Sequence, residues 1–328
     1  MADTFHIAIL GTRFGEPDIE REILSDFQIQ FTLDSGHTSE NIVKNAKDAE
    51  IILAGGSPKF TAHVIRRLPK CRGIIRLGIG VDTVDKKIAT EQGIIIANVP
   101  NYATEEVSDH AIALILASMR KLFQAHRSIS SGNWGIKPIS PLFSASDQTL
   151  GIIGFGKIGQ ALARKIFPMG FKLLVHDPFA EEETVSRQNA KMVSCAELLK
   201  QSDIITLNAP FLDTTFHLIN AESIETMKRT AFLINTSRGE LIDESALIAA
   251  LKSGRIAGAA LDVFEKEPLT LDNQLLTLDN VILTPHISWY TLQATKRMRI
   301  IASQEAARLL NGKRPLNLVN PEVFHEQK

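Results

Sequence analysis

Short apolar runs alternate with amphipathic segments along the first hundred residues. Helical patterns occur, for example, at Ile19–Asp26 and Ala62–Leu68. Because strands that alternate with helices usually pair in parallel, this part of the chain predicts a parallel sheet. The predicted strands are His6–Leu10, Ile29–Leu33, Glu50–Ala54, Ile74–Leu77 and Ile94–Val99.

A second alternating series begins at residue 148. Its predicted strands lie at residues 150–153, 171–176, 203–207, 231–235, 257–261 and 281–284, and its helical patterns include Cys195–Lys200, Ile224–Lys228 and Glu244–Ser253. Six or seven strands in this order describe a complete dinucleotide-binding domain. The chain therefore predicts an α/β protein with two doubly wound parallel-sheet domains.

A long helical pattern connects the two series. Thr104–His126 is apolar beyond a single stripe, which favours burial between domains or against another subunit. The next stretch, Ser130–Asp147, contains Trp134 among several glycines and prolines and is predicted to be an extended loop. Such a loop either embraces a partner protomer or faces solvent.

The end of the chain is predicted to return to the first sheet. The last helical pattern, Thr291–Leu310, precedes a polar tail that is too short to form a domain. We expect this tail to pack on the N-terminal sheet, which makes the first domain discontinuous. The predicted domains comprise residues 1–100 with 290–328, and residues 101–289.

A G-x-G-x-x-G motif follows the first strand of the second series. In this motif, Gly154 permits the turn's backbone angles, Gly156 leaves room for a pyrophosphate, and Gly159 lets helix and strand pack closely. The phosphates then lie at the helix N-terminus, where free N–H groups and the helix dipole favour an anion. The predicted cofactor contacts include the neighbouring Lys157 and Ile158.

An acidic residue ends the next predicted strand. Asp177 lies eighteen residues after Gly159 and is followed by Pro178. Its carboxylate would accept both ribose hydroxyls and repel a 2′-phosphate, and no arginine follows it, so NAD is the predicted cofactor. The alternative is that the glycines form a purely structural turn.

Composition and charge narrow the range of partners. Hydrophobic residues make up 44% and charged residues 22%, as in ordinary globular proteins, and the formal net charge of −1 favours neither nucleic acid nor an anionic membrane. No apolar run has the length of a secretion signal or a membrane span, so a cytoplasmic location is expected. Cys71 and Cys195 lack metal-site spacing and are predicted to be buried thiols, without a disulfide or a bound metal.

Three polar residues follow strand ends in the second series, where ligands bind in open α/β sheets. They are Arg238 in INTSRG, Glu267 in LDVFEKEP and His286 in ILTPHIS. An arginine fork suits a carboxylate, and an imidazole suits proton donation to a carbonyl oxygen. A neighbouring glutamate would fix the imidazole ring by hydrogen bonding. The set predicts hydride transfer between a nicotinamide cofactor and a small 2-oxo acid.

Each of these residues also has a structural alternative. Arg238 could be a surface charge, Glu267 could cap a turn, and His286 could be an ordinary loop histidine. Their shared position after strands of one domain favours the catalytic interpretation. Two other histidines, His110 and His176, are assigned to a helix face or core and to the sheet.

Several motifs together resemble the D-isomer-specific 2-hydroxyacid dehydrogenase family. They are RLGIGVDTVD at 76–85, NVPNYATEEVSDHAIAL at 98–114, LGIIGFGKIG at 150–159, LINTSRGELIDESAL at 233–247, GAALDVFEKEP at 258–268 and TPHIS at 284–288. The resemblance implies a flavodoxin-like substrate domain, an inserted Rossmann domain and a cleft between them that closes on NAD and substrate. It also implies a homodimer built through the long helix and the following loop.

The same resemblance implies roles for individual residues. Arg238 is similar to the family's substrate arginine, Glu267 to the acid paired with the histidine, and His286 to the general acid/base. The other implied contacts are the backbone N–H groups of Ile79 and Gly80 for the substrate carboxylate, Asp262 for the nicotinamide carboxamide, Thr104 and Ser237 near the nicotinamide, Asn208 and Pro210 near the adenosine, and Thr215 as a further cofactor contact.

Within the family, two residues look like those of the C-terminal-binding protein corepressors and their bacterial relatives. Arg76 could pair with a second polar or anionic substrate group, or form an interdomain salt bridge. Trp289 could provide an apolar wall, or pack at a domain interface. Ile79 is bulkier than the residue often found there, and VDTVD replaces the frequent VDNID, which leaves the size of the substrate site open.

Two classes of function remain. The first is an NAD-dependent enzyme that interconverts a small 2-oxo acid and its D-2-hydroxy acid, with phosphoglycerate, formate and phosphite dehydrogenases as relatives on the same framework. The second is an NAD(H)-sensing, corepressor-like binding protein. A long disordered C-terminal tail and an exposed peptide groove in the N-terminal domain would favour the binding protein. Because the sequence ends a few residues after Pro321, such a tail is not expected, and the enzyme is preferred.

Overall fold

Twelve strands and twelve α-helices are present in the part of the chain that the computed structural model describes, residues 4–12, 14–35 and 38–324. The strands are β1 Phe5–Leu10, β2 Ile29–Asp34, β3 Ile51–Ala54, β4 Gly73–Arg76, β5 Ile95–Ala97, β6 Thr149–Ile153, β7 Lys172–His176, β8 Ala190–Met192, β9 Ile204–Leu207, β10 Phe232–Asn235, β11 Gly258–Leu261 and β12 Val281–Leu283. The helices are α1 Asp18–Ile23, α2 Ser39–Ala46, α3 Ala62–Ile65, α4 Lys86–Glu91, α5 Thr104–Met119, α6 Leu122–Ser130, α7 Lys157–Ile166, α8 Glu182–Ser186, α9 Cys195–Gln201, α10 Ala221–Thr226, α11 Glu244–Ser253 and α12 Leu292–Leu310.

The chain divides into two units, each with its own parallel sheet. The first unit contains the residues up to Tyr102 and those from Thr291 onward, and the second is Ala103–Tyr290. The first sheet has the order β2-β1-β3-β4-β5, and the second has the order β8-β7-β6-β9-β10-β11-β12. These are the strand orders of flavodoxin-like and Rossmann sheets, which confirms the predicted fold class.

The five predicted strands of the first unit are present, although the last is shorter than predicted. β5 ends at Ala97 because the backbone of the next two residues bonds elsewhere. The N–H of Asn98 donates to the carbonyl of Asn317, and the N–H of Val99 donates to the carbonyl of Gly78. The apolar pattern at 94–99 therefore reflects burial rather than a longer strand.

The C-terminal tail adds a short antiparallel pairing to the edge of this sheet. Leu318 pairs with Ala97, and the N–H of Val319 donates to the carbonyl of Ile96 at 2.8 Å. The fully buried Asn320 completes the attachment, since its side-chain oxygen accepts from the N–H of Ile96 at 2.7 Å and its amide nitrogen donates to the carbonyl of Ile94 at 2.9 Å. The tail thus covers the exposed edge that β5 would otherwise present.

A buried ion pair attaches α12 to α1. The guanidinium of Arg299 donates from Nε and Nη2 to the two carboxylate oxygens of Glu20, at 2.9 and 2.6 Å, and Nη2 also donates to Asp18 at 2.6 Å. The side chains of Arg299 and Glu20 are 9% and 3% exposed. Such a pair holds the two ends of the unit together through bidentate, desolvated contacts.

We expect Arg299→Met to lower the free energy of unfolding by about 3 kcal/mol, because it leaves the carboxylate of Glu20 buried without its partner. Urea denaturation of the purified variant measures this loss. Lys296→Met, at an exposed position on the same helix, is the matched control and should change stability little. Equal stability of the two variants would contradict the assigned role of the ion pair.

The second sheet carries apolar side chains on both faces. Adjacent residues of β6 point to opposite faces of the sheet and belong to different hydrophobic cores. Ile152 packs with residues of α5 and α7, and Ile153 packs with residues of α9 and α11. The sequence pattern did not indicate β8 or α8, which are three and five residues long. Both elements are too short to give a periodic pattern, and β8 lies at the edge of the sheet.

The predicted continuous helix over Thr104–His126 was wrong in one respect. α5 ends at Met119, and Lys121 adopts a left-handed conformation with φ +49° before α6 begins. α5 buries Ala111, Leu114 and Ile115 within its own unit, whereas no residue of α6 is buried. The apolar pattern therefore covers two helices with different surroundings.

Candidate active site

The three glycines of the G-x-G-x-x-G motif have three different surroundings. Gly154 has φ +89°, and a Cβ there would lie 2.5 Å from the backbone nitrogen of Ala209. A Cβ at Gly159 would lie 2.3 Å from the carbonyl oxygen of Gly154. At Gly156, by contrast, a Cβ would meet no atom within 4 Å. Two glycines are thus required by the fold, and the third leaves open space.

That open space lies at the N-terminus of α7. Gly156 is the N-cap residue and has no side chain to cap the helix, and the adjacent Lys157 is exposed. The first N–H groups of the helix therefore face the space left by Gly156. A pyrophosphate fits this arrangement, because helix N-termini bind anions through these N–H groups and the helix dipole.

Asp177 follows β7 and attaches the strand end to the glycine loop. Its Oδ2 accepts from the N–H of Phe155 at 2.6 Å, and its Oδ1 accepts from the N–H of Phe179 at 2.8 Å. Each carboxylate oxygen keeps a lone pair for a ribose hydroxyl. A cavity of about 410 Å³ adjoins this carboxylate, lined by residues 176–178, 180, 182 and 192–194. The position and chemistry of Asp177 fit the ribose of a dinucleotide.

The loop after β9 lies against the glycine loop. The N–H of Asn208 donates to the carbonyl of Ile153 at 2.7 Å. Farther along, the hydroxyl of Thr215 donates to the carbonyl of Pro210 and accepts from the N–H of Leu212, both at 2.8 Å. Thr215 therefore maintains the shape of the loop from within.

Ser237 connects this loop to the end of β10. Its hydroxyl donates to the carbonyl of Ala209 at 2.5 Å, and its N–H donates to the side chain of Asn235 at 3.0 Å. Thr104, the first residue of α5, borders a smaller cavity of about 220 Å³ that Lys157 also lines. All the residues predicted to bind the cofactor lie in the second unit.

The structure brings His286 and Glu267 together. Nδ1 of His286 lies 2.7 Å from Oε2 of Glu267, and the two side chains are 42% and 35% exposed. Because a carboxylate only accepts hydrogen bonds, Nδ1 carries the proton of this contact. The other ring nitrogen, Nε2, is thereby left as the atom that can exchange a proton with a substrate.

The carboxylate form of Glu267 is favoured by its surroundings. Burial alone would raise the pKa of Glu267, but the hydrogen bond and charge of His286, the N–H of Phe264 and the charge of Arg238 together lower this pKa below its ordinary value. The Phe264 N–H donates to Oε1 at 3.1 Å. Glu267 is therefore ionised at neutral pH and holds the imidazole by a charge-assisted bond.

Arg238 directly follows Ser237 at the end of β10. Its Nη1 donates to the carbonyl of Ser237 at 2.7 Å. The next residue must be glycine, since a Cβ at Gly239 would lie 1.9 Å from the backbone carbon of Phe264. This close approach brings the Arg238 turn against the segment that carries Glu267.

His286 occupies an unusual backbone conformation. Its φ is +53°, in the left-handed region that non-glycine residues rarely adopt. Its N–H donates to the carbonyl of Asp262 at 2.8 Å. The side chain of Asp262 has no exposed surface and accepts from Thr284 Oγ1 and from the N–H groups of Ile287 and Ser288. Its predicted contact with the nicotinamide carboxamide stays a prediction.

Trp289 belongs to the same loop. Its indole nitrogen donates to the carbonyl of His286 at 3.1 Å, and its ring meets that of Tyr290 edge-on, with 5.6 Å between centroids. Trp289 therefore helps to hold the backbone carbonyl of His286 in place. This contact gives Trp289 a structural role within its own unit, and both sequence interpretations, the apolar wall and the packing at a domain interface, stay predictions.

The predicted substrate residues Arg76, Ile79 and Gly80 belong to the first unit. Arg76 ends β4 and donates from Nη1 to the carbonyls of Ala54 at 3.3 Å and Leu77 at 2.9 Å. Ile79 is 41% exposed. Within the described residues, the N–H groups of Ile79 and Gly80 donate to no other group of the protein. Paired, unsatisfied N–H groups on an exposed turn suit an anion.

Two contributors to the site were missed in the sequence. Thr284 stands in the TPHIS motif, and its hydroxyl lies 3.1 Å from Nε2 of His110 on α5. Nothing in the local pattern connects these residues, which are 174 positions apart. By contrast, His176 lies at the end of β7 as expected, with Nδ1 3.2 Å from the carbonyl of Val193.

The cysteines do not contribute to the site. Burial raises the pKa of Cys71 to about 12 and also raises the pKa of the half-buried Cys195. Neither thiol is a nucleophile at neutral pH. Among the described residues, no cluster of histidine, cysteine and acidic side chains could hold a metal ion, and none of their helices is long and apolar enough to span a membrane.

Comparison with known proteins identifies the family. Residues 112–288 match the model of the D-isomer specific 2-hydroxyacid dehydrogenase NAD binding domain. The chain is 36% identical over 306 residues to a glyoxylate reductase of Korarchaeum cryptofilum, covering 92% of both proteins. It is 38% identical over 295 residues to a D-3-phosphoglycerate dehydrogenase of Methanocaldococcus jannaschii, covering 90% of this chain but 56% of that protein.

A solved structure agrees with this result. The D-lactate dehydrogenase of Aquifex aeolicus, complexed with NAD and lactic acid, superposes with a TM-score of 0.87 at 29% identity, covering 96% of this chain and 99% of that one. The family match, the full-length relative and the NAD-binding geometry of the second unit lead to one conclusion. The chain belongs to the D-isomer-specific 2-hydroxyacid dehydrogenases and is an NAD-dependent oxidoreductase of that family.

Proposed function

We propose that this enzyme interconverts a small 2-oxo acid and its D-2-hydroxy acid, with glyoxylate as the first substrate to test. The observation that carries the proposal is the His286–Glu267 pair, with the charge of Arg238 beside it, in the unit that also holds the glycine loop. Glyoxylate is chosen because a relative covering 92% of the chain is named a glyoxylate reductase.

In this mechanism, each of three side chains has a separate task. Arg238 binds the substrate carboxylate through its planar guanidinium. His286 donates the proton on Nε2 to the carbonyl oxygen, and Glu267 holds the ring and stabilises its charged form. NADH, when bound, supplies the hydride that reaches the carbonyl carbon. The reverse reaction uses neutral His286 as the base that accepts the hydroxyl proton.

In the first unit, we propose that the N–H groups of Ile79 and Gly80 bind an anionic group of the substrate. They donate to no protein acceptor among the described residues, and Ile79 is exposed. Arg76, at the end of the neighbouring strand, is proposed to favour a second polar or anionic group. The narrower assignment to the corepressor-like branch rests on Arg76 and Trp289 alone.

A substrate panel tests the proposal. The purified protein is assayed with NADH or NADPH against glyoxylate, hydroxypyruvate, pyruvate and 3-phosphohydroxypyruvate, and in the oxidative direction with D- and L-2-hydroxy acids, formate and phosphite. We expect NADH oxidation with at least one small 2-oxo acid, and oxidation of D-isomers only. Stable peptide binding without turnover of any compound would instead favour the NAD(H)-sensing binding protein.

We expect the wild-type enzyme to prefer NADH, and Asp177→Asn to reduce the NADH-over-NADPH preference in kcat/KM by about tenfold or more, because it removes a charge that repels a 2′-phosphate. Steady-state kinetics with both cofactors measures this ratio. Glu182→Gln is the matched control, since this exposed carboxylate lines the same cavity without following the strand end. A wild-type preference for NADPH would contradict the role assigned to Asp177.

We also propose that the enzyme is a homodimer formed through α6 and the loop that follows it. The apolar side chains there are exposed to an extent unusual for a monomer surface: Leu122 55%, Phe123 51%, Ile129 57%, Trp134 91% and Ile136 80%. A second copy of the chain would cover them. This surface continues from α5, the helix that the resemblance places at the dimer interface.

We expect Phe123→Glu combined with Ile129→Glu to convert the dimer to monomer, because two charges would be buried in the proposed interface. Light scattering after size-exclusion chromatography gives the molar mass. His126→Glu, at an exposed polar position of the same helix, should leave the mass unchanged. A wild-type protein that is monomeric at micromolar concentration would refute the proposal.

A further inference from the structure

The loop that carries His286 is built around a single buried residue. Asp262, directly after β11, has no exposed surface. Its Oδ1 accepts from Thr284 Oγ1 at 2.5 Å and from the N–H of Ile287 at 3.0 Å, and its Oδ2 accepts from the N–H of Ser288 at 2.9 Å. Its own carbonyl accepts from the N–H of His286. Four donors of one short loop thus converge on Asp262.

His110 extends this cluster to α5. Its Nε2 lies 3.1 Å from Thr284 Oγ1 and 3.8 Å from Asp262 Oδ1. A hydroxyl has one proton, and that of Thr284 is directed to the carboxylate, so its oxygen accepts from His110. The hydrogen-bond network therefore assigns the proton to Nε2 and gives a directed chain from His110 to Thr284 to Asp262.

This chain matters because the conformation of His286 is not one that its own backbone prefers. A residue at φ +53° persists only where its surroundings hold it. The hydrogen bond to Glu267 fixes the imidazole ring of His286, but it does not fix the backbone of His286. The N–H groups of Ile287 and Ser288 hold the segment that directly follows His286 only while the carboxylate of Asp262 stays oriented toward them.

We propose that His110 and Thr284 are positioning residues for the reaction, which orient the carboxylate of Asp262 and through it the backbone of His286. The inference rests on the proposed function, because it takes His286 as the proton donor. Neither residue touches the reacting atoms in this scheme. Their loss displaces the donor without removing it. Because the phosphates and the ribose of NADH are proposed to bind at the glycine loop and Asp177, we expect kcat to fall much more than the affinity for NADH.

The test compares two substitutions at Thr284. Thr284→Val keeps the shape of the side chain and removes its hydroxyl, whereas Thr284→Ser keeps the hydroxyl. With NADH and glyoxylate, we expect Thr284→Val to lower kcat by roughly ten- to thirtyfold, as for the loss of a hydrogen bond to a charged group. The dissociation constant of NADH, from its fluorescence, should change less than about twofold. Thr284→Ser should restore kcat to within about threefold of wild type.

A matched control separates this effect from the loss of any buried hydroxyl. Thr206 on β9 is also buried, and its hydroxyl has no partner among the described residues. Thr206→Val should leave kcat and NADH binding unchanged. His110→Leu should resemble Thr284→Val, and the double variant should be no slower than either single one, because the two residues act through one carboxylate.

The outcomes distinguish this inference from the proposed function. A wild-type enzyme that reduces glyoxylate, with Thr284→Val as active as wild type or Thr284→Ser as impaired as Thr284→Val, overturns the positioning role alone. Additive losses in the double variant also overturn it. A wild-type protein inactive on every 2-oxo acid overturns the proposed function and this inference with it.

Discussion

Replacing His286 with alanine is expected to lower kcat/KM for 2-oxo acid reduction by about a thousandfold, within the range that general acid–base catalysis contributes. The loss has a direct cause, because Nδ1 is bound to Glu267 and Nε2 is the nitrogen left to give a proton to substrate. Binding of NADH should be unaffected, since the cofactor is proposed to lie on the glycine loop and Asp177. Stopped-flow kinetics and NADH titration measure the two quantities separately.

Glu267→Gln is expected to cause a smaller loss of activity than His286→Ala and so serves as the comparison. The amide retains a hydrogen-bond acceptor for Nδ1 but removes the charge that stabilises an imidazolium, so we expect a loss of about ten- to a hundredfold, smaller than that of His286→Ala. Substantial activity in His286→Ala would mean that another group donates the proton. An equally severe loss in both variants would mean that the charge of Glu267, and not only its geometry, is essential.

The proposed cofactor site could be located in the sequence because its determinants are local. The glycines and Asp177 fall within one strand–helix–strand segment, and each glycine has the surroundings that its place in the motif predicts. The additional bond from Phe155 to Asp177 could not be predicted. It depends on the exact approach of two loops, which spacing alone does not define.

The His286–Glu267 pair, which we propose as the acid–base pair, was predictable only as a set of residues. Glu267 and His286 each follow a strand, and the parallel sheet brings these strand ends to one edge, but the 2.7 Å contact needs the backbone of His286 in a left-handed conformation. A histidine in a T-P-H-I-S sequence gives no sign of such a conformation. The contact between His110 and Thr284 is even harder to predict from local sequence, because it joins a helix to a loop that is distant in the chain.

The predicted helix Thr104–His126 was wrong at the point where the backbone breaks although the composition does not change. The apolar pattern continues through Arg120 and Lys121 into α6, so periodicity suggests one helix, yet Lys121 breaks it with φ +49°. The break separates a helix that packs within its unit from one whose apolar residues remain exposed. Hydrophobicity alone does not distinguish the two helices, because an apolar residue that is buried within its own unit and one that stays exposed look the same in sequence.

Replacing Arg238 with methionine is expected to lower kcat/KM for pyruvate by about a hundred- to a thousandfold, mostly through a higher KM. The guanidinium is proposed to bind the substrate carboxylate bidentately, and losing one partner of such a charged pair costs about 3–4 kcal/mol. Arg238→Lys keeps the charge but not the fork, so it should recover part of the loss. Saturation kinetics with NADH fixed in excess separates KM from kcat.

A substrate without the carboxylate tests this role directly. Methylglyoxal has an aldehyde where pyruvate has a carboxylate, so its reduction should be slow in the wild type and nearly unchanged in Arg238→Met. Arg255→Met is the control for loss of a largely buried arginine in the same unit, since Arg255 pairs with Glu225 at 3.0 Å. It should change stability but not the preference for pyruvate. If Arg238→Met slowed both substrates equally, the arginine would act on Glu267 and His286 rather than on the carboxylate, because its charge also lowers the pKa of Glu267.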